Sequence, residues 1–146
     1  MTTTTIRQVE ADDYDNGVLE LLSQLSQCDK SQIRKDQFAS QIDLMSRCGI
    51  TTFVYCVDSK IVGTASIIIE PKLIHNLSFV GHIEDVVVDK DYRNQGIGQK
   101  LIEHLSNFAR GKCCYKVILD CSNVNSKFYE KSGFKVNGLE MRQNLQ

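Results

Sequence analysis

Proline is almost missing from this 146-residue chain. Pro71 stands alone, and neither a low-complexity tract nor an internal repeat interrupts the sequence, so no inter-domain linker is expected. Long apolar runs are missing as well. The run Ile67-Ile68-Ile69 stops at Glu70 and Pro71, far short of the roughly 18 apolar residues of a membrane span. The Thr-rich start has neither the basic patch nor the apolar stretch of a signal peptide, and Gln143-Asn144-Leu145-Gln146 is not a peroxisomal address. A reducing, cytoplasmic setting is therefore expected, with an organelle address of another kind left open. An excess of either charge is absent: 17 Lys and Arg stand against 18 Asp and Glu, which argues against a nucleic-acid footprint spread over the surface. The six cysteines include no C-x-x-C pair, and no His stands at finger spacing from them. Free thiols, and no metal site, are expected.

What is present is an ordinary globular mixture, 42% hydrophobic and 24% charged, in a length that suits one domain over residues 1–146. Ile6 to Val9 opens as a strand. Asp12, Asp13 and Asp15 precede a helical face of Val18, Leu19, Leu21, Leu22 and Leu25, and Ser31 is placed to cap a second helix ending at Gly49. The period then changes to strands at 51–57, 61–69 and 79–88, the first two joined by a tight turn at Asp58-Ser59-Lys60. Gly98 to Arg110 carries the clearest amphipathic stripe, with Leu101, Ile102, Leu105, Phe108 and Ala109 on one face. A short buried-type strand at 116–120, a helix from Asn125 to Ser132 and a last strand from Phe134 to Arg142 complete the order β-α-α-β-β-β-α-β-α-β. The fold class is α/β, a mixed and mostly antiparallel sheet flanked by helices.

The sharpest chemical feature is a strand, a turn and a helix: Ile83-Glu84-Asp85-Val86-Val87-Val88, then Arg93-Asn94-Gln95-Gly96-Ile97-Gly98 at the helix start. Glycines there let the backbone approach a ligand, and the first-turn N–H groups with the positive dipole end suit a phosphate. Arg93 and Lys100 add charge. The loop is neither a P-loop nor a dinucleotide fingerprint. By itself it is equally compatible with a plain turn.

Arg93-x-x-Gly96-x-Gly98 resembles the acetyl-CoA pyrophosphate loop of the GNAT acetyltransferase superfamily, and Asn125 to Phe134 resembles its late Tyr-bearing helix ending in Gly-Phe. Ile69 to His75, Gly81 to Val88 and Cys114 to Cys121 are similar to one branch of it, the glucosamine 6-phosphate N-acetyltransferases. The resemblance implies the GNAT fold and acetyl transfer from acetyl-CoA to the 2-amino group of glucosamine 6-phosphate, a step toward UDP-N-acetylglucosamine, by a homodimer with its site near the interface.

It further implies cofactor contacts at Val86, Val87, Val88, Arg93, Asn94, Gln95, Gly96, Ile97, Gly98, Asn125, Lys127 and Tyr129. Substrate contacts fall on Lys72, His75, Glu84, Asp85, Tyr115, Lys116, Arg142 and Ser26. Asn144 stands where the family's later basic residue falls, and Arg142, two positions earlier, would share its strand face. Glu84 and Asp85 are adjacent in a strand, so a regular pleat sends them to opposite faces; only a bulge or splay brings both into one site.

An amine attacks a thioester without a covalent enzyme intermediate, because sulfur leaves readily. The enzyme supplies orientation and stabilises developing charge. Tyr129 is read as the donor to the departing thiolate, and Asp120, a backbone carbonyl or a water as the acceptor of the amine's proton. Cys121 has no His partner to make it a nucleophile. Two other functions fit the same fold: acetylation of a different amine, and an acyl-CoA sensor without turnover.

Overall fold

Alternation along the strand-forming runs is matched by their pairing in the structure, a computed structural model describing residues 1–146. Strands β1 (Thr4–Gln8), β2 (Ile50–Val57), β3 (Lys60–Pro71), β4 (Phe79–Val88) and β5 (Cys114–Leu119) form one sheet in chain order. The first four are antiparallel, and β5 alone runs parallel to its neighbour. Asp58 and Ser59 both adopt positive φ, 47° and 70°, the left-handed turn whose twist matches that of a hairpin.

Helix α3 (Ile97–Gly111) covers one face, burying Leu101, Ile102, Leu105 and Ala109 against Phe53, Tyr55, Ala65, Ile67 and Ile83. At about 1.5–3 kcal/mol for each large side chain buried, this stripe is a main support of the sheet. Helices α1 (Val18–Leu22) and α2 (Lys35–Arg47) cover the other face over β2 and β3, where Val18, Leu19, Leu21 and Phe38 meet Val54, Cys56, Ile61 and Val87. They leave that face of β5 bare. Between β1 and α1, the buried Asp13 accepts two hydrogen bonds of 2.8 Å from Arg7 and one of 2.8 Å from the Glu10 amide. Burial pushes its carboxyl up, but these donors and Asn16 outweigh it and hold the carboxyl below the usual range.

Four expectations are corrected. The first helix is only Val18–Leu22, because Ala11–Tyr14 winds as a separate 3₁₀ turn in which Asp13 binds Arg7 and caps that turn through the Glu10 amide, not α1. Ser31 does not cap α2: Asp29 accepts from the Ser31 amide in a separate turn, and α2 starts at Lys35. Strand β5 has the expected place but not the expected burial, since it is an edge strand with one face uncovered. The strand expected over Phe134–Arg142 is not formed. Beyond Phe134 the backbone finds no partner, and a strand without a neighbour has nothing to hold it. The last helix, α4, is Ser126–Glu130, followed by a turn closed at Gly133 with φ 89°.

Candidate active site

Two parallel strands part where the carboxylates lie. β5 follows β4 from Phe79 opposite Cys114 to Ile83 opposite Leu119, and there it ends. β4 continues to Val88, bonded only to β3, so its outer edge over residues 84–88 is unpaired and wedge-shaped. Its backbone groups are free to bond an extended ligand.

Within the same stretch Thr64 pairs with Val87 and Ser66 with Glu84, so Asp85 and Val86 together oppose Ala65. This is a β-bulge, with Asp85 at φ 54°, a strained conformation for a residue with a Cβ. The bulge resets the pleat. Glu84 shares the face of Ser66, and Asp85 lines a cavity of about 470 Å³ together with Thr64, Ser66, Leu22, Phe38 and Gln41, on that same face. Both carboxylates therefore reach one side of the sheet, as the family resemblance requires.

Pairing arranges the bare end of that face in rows. Glu70, Val80 and Lys116 form one row, Ile68, His82 and Ile118 the next, then Ser66 and Glu84, with Asp120 just past the end of β5. Cations stand at one end: Lys72 Nζ lies 2.6 Å from Glu70 Oε1, and Lys116 is in the same row as Glu70. Hydrogen bonding to Lys72, aided by the charges of Lys72 and His82, holds the Glu70 carboxyl below its usual range. Carboxylates stand at the other end, about 7 Å further for each pair of residues along a strand. His82 Nε2 lies 3.0 Å from Glu84 Oε1 and 3.8 Å from Asp120 Oδ2. These three side chains are also the group whose donor atoms, within 4.8 Å of one another, have the chemistry to hold a metal ion.

At the other mouth of the wedge, Arg93 Nε donates to the Val88 carbonyl at 3.0 Å, tying the turn to the end of β4. Asn94 and Gly96 adopt positive φ, 61° and 77°, and α3 starts at Ile97 with its first N–H groups unused by the helix. Gly98 lies so close to Phe128 that a Cβ would stand 2.8 Å from its ring, so the turn abuts α4 directly. On α4, Phe128 and Tyr129 meet edge to face at 4.9 Å, and both pack against the core under α3. Burial, with a smaller effect of Cys121, pushes the Tyr129 phenol above its ordinary value of 10. Asn125 and Lys127 stand at the start of the same helix.

The remaining residues fall apart from this cluster or change their setting. His75 stacks on Tyr115, centroids 4.1 Å apart, in a turn where His75, Asn76 and Leu77 all have positive φ. Ser26 is exposed just past α1, two residues from Gln24, whose side chain accepts from the Lys90 amide shortly before the turn Arg93 to Gly98. Arg142 is not on a strand. It sits in the exposed tail, bound to Glu140 at 2.6 Å and away from the sheet, because the last segment has no partner within the chain. His82 was not among the residues expected to act. Its place two positions before Glu84 was the available signal, since alternate residues of a strand share a face.

Residues 17–134 match the acetyltransferase (GNAT) family. The glucosamine 6-phosphate N-acetyltransferase of Trypanosoma brucei brucei is 42% identical, over 96% of this chain and 95% of that protein. Glucosamine 6-phosphate N-acetyltransferase 1 of Dictyostelium discoideum is 38% identical, over 94% of this chain and 88% of that one. The crystal structure of glucosamine-6-phosphate N-acetyltransferase from Arabidopsis thaliana has a TM-score of 0.93 at 34% identity, over 99% of both chains.

Proposed function

The chain belongs to the acetyltransferase (GNAT) family, and from that premise we propose that it is an enzyme moving the acetyl group of acetyl-CoA onto the 2-amino group of glucosamine 6-phosphate. The observation that carries the reading into chemistry is the parting of β4 and β5, which opens a backbone edge between an anion-binding turn and a face bearing carboxylates.

In this reading the CoA pyrophosphate lies on Arg93 to Gly98, with Asn125 and Lys127 beside it. The pantetheine arm bonds the free edge of Val86 to Val88, which brings the thioester to the wedge. The sugar lies along the rows of the open face. Its amine meets Glu84, Asp85 and Asp120, and its phosphate meets Lys72, Lys116 and His75, cations and donors suited to a dianion. Tyr115 forms the floor beneath His75.

The amine attacks the thioester carbonyl directly. The C–N bond forms and the C–S bond breaks, Asp120 accepts the amine's proton, and Tyr129, kept protonated by burial, donates to the departing sulfur. The polarised carbonyl oxygen is stabilised by backbone N–H groups of the unpaired strand.

The working form is a homodimer. Exposed Phe79, Tyr115 and Ile118 border the site, and the tail beyond it exposes Val136, Leu139 and Met141, apolar surface that a second copy would cover. No helix of the chain is long and apolar enough to cross a membrane.

Acetylation of glucosamine 6-phosphate measured beside unphosphorylated glucosamine tests the substrate. Charge-assisted hydrogen bonds to the phosphate, about 1.5–3 kcal/mol each, should favour the phosphorylated sugar at least 10²-fold in kcat/KM. Equal efficiency on both sugars leaves a family enzyme for another amine. Acetyl-CoA binding without any turnover leaves a sensor.

A further inference from the structure

His82 is the one side chain that touches carboxylates on both sides of the wedge. It stands on β4 in its last fully paired stretch, held by Ile68 on β3 and Ile118 on β5, so its backbone is fixed from both edges. Asp120, by contrast, lies past the end of β5 and before the turn at Asn123, in no regular element, and is more than half exposed. No Lys, Arg or other His lies within ion-pair distance of Asp120 or Glu84. The His82 Nε2 atom is sheltered from solvent and has no aligned hydrogen-bond partner in the resting arrangement, at 3.0 Å from one carboxylate and 3.8 Å from the other.

A buried ring nitrogen in that position gains a well-formed hydrogen bond whenever either carboxylate turns toward it. We propose, building on the acetyl-transfer reading, that His82 is a positioning residue for the reaction: its Nε2 holds the Asp120 carboxylate, together with Glu84, at the mouth of the wedge where the acceptor amine must lose its proton. Asp120 takes the proton. His82 keeps Asp120 in reach, linking a loop residue to the rigid interior of the sheet. Misplacing a reacting group by about 1 Å costs on the order of 10²-fold in rate. The imidazole is thus worth more to turnover than to binding, because neither the CoA turn nor the cations at the phosphate end depend on it.

Two substitutions separate these roles. His82→Leu keeps the bulk and places an aliphatic side chain between Ile68 and Ile118, a row it fits, while removing the donor. His82→Gln keeps an N–H close to the position of Nε2. Steady-state kinetics with glucosamine 6-phosphate and acetyl-CoA should show kcat lowered about 10–100-fold in the Leu variant, with KM for acetyl-CoA within about twofold of wild type. The Gln variant should recover most of the loss. Equal losses in both variants, a change confined to KM, or an unimpaired Leu variant beside an active wild type would overturn the role alone. An inactive wild type would overturn the substrate reading and this role with it. Loss of wild-type activity on dialysis against EDTA would also overturn it, assigning the three side chains to a metal ion.

Discussion

At the scale of single residues, the proposed mechanism separates groups that bind from groups that move protons. Tyr129 is half-buried, and burial raises its phenol above the ordinary value of 10, so it stays protonated through neutral and mildly alkaline pH. A donor with a raised value loses its proton only as pH climbs past that value. Tyr129→Phe should therefore lower kcat about 10²–10⁴-fold by a similar factor at every pH between about 6 and 9, while leaving both KM values nearly unchanged. A variant with wild-type kcat would return Tyr129 to the core it packs against. Lys72 lends itself to a different measurement. It is bound to Glu70 at 2.6 Å, so its charge is already shared before a phosphate arrives. Lys72→Ala should erode the preference for glucosamine 6-phosphate over glucosamine about tenfold, with acetyl-CoA affinity unchanged by calorimetry. An undiminished preference would leave the phosphate to Lys116.

At the scale of elements, the turn into α3 joins two demands on glycine. Gly96 adopts φ 77°, and nothing lies within 4 Å of where its Cβ would be, so the open space beside it is available to a ligand. Gly98 instead backs against Phe128 of α4 at 2.8 Å, which couples the turn to the helix that carries Tyr129. Gly96→Val should cost about 1–2 kcal/mol of stability for the left-handed backbone and block the pyrophosphate outright. Calorimetry on the folded variant checks it, and unchanged CoA affinity would remove this turn from the cofactor site. Gly98→Ala should act differently, moving α4 and lowering kcat through Tyr129.

At the scale of the whole molecule, stability and assembly rest on opposite ends of the chain. The Arg7–Asp13 pair locks β1 to the turn before α1. The Asp13 carboxyl is held below its unfolded value of about 3.9, so its contribution is complete above that pH and is lost as pH falls through the lower folded value. Arg7→Met should destabilise by about 3 kcal/mol at neutral pH, the low end for a broken buried pair because Arg7 is one-third exposed. In urea titrations the difference from wild type should shrink as pH falls below the unfolded carboxylate value of about 3.9 toward the lower folded value of Asp13. At the other end, the exposed tail and the bare edge of β5 predict a dimer near twice 16.5 kDa by sedimentation at micromolar concentration. Deletion of residues 136–146 should shift it to monomer. A monomeric wild type would return the tail to solvent.

Pattern along the chain was enough for the five strands, the α3 stripe, the glycine turn that opens α3 and the need for a bulge between Glu84 and Asp85, because each is a local matter of period, glycine placement or pleat parity. The same reading overstated α1, since the carboxylates before it look like its caps whether they cap it or, as with Asp13, accept from an arginine brought near by β1. It added a last strand because alternation records which face a residue prefers, and not whether a neighbouring edge exists to pair with. Tertiary structure alone decided that β5 stops at Leu119 while β4 runs on to Val88, and so where the wedge opens. It also decided that Arg142 lies outside the sheet and that His82 stands between Glu84 and Asp120. Those facts depend on register between strands far apart in sequence, and register is set by the packing of the whole sheet against α3 and not by any one segment.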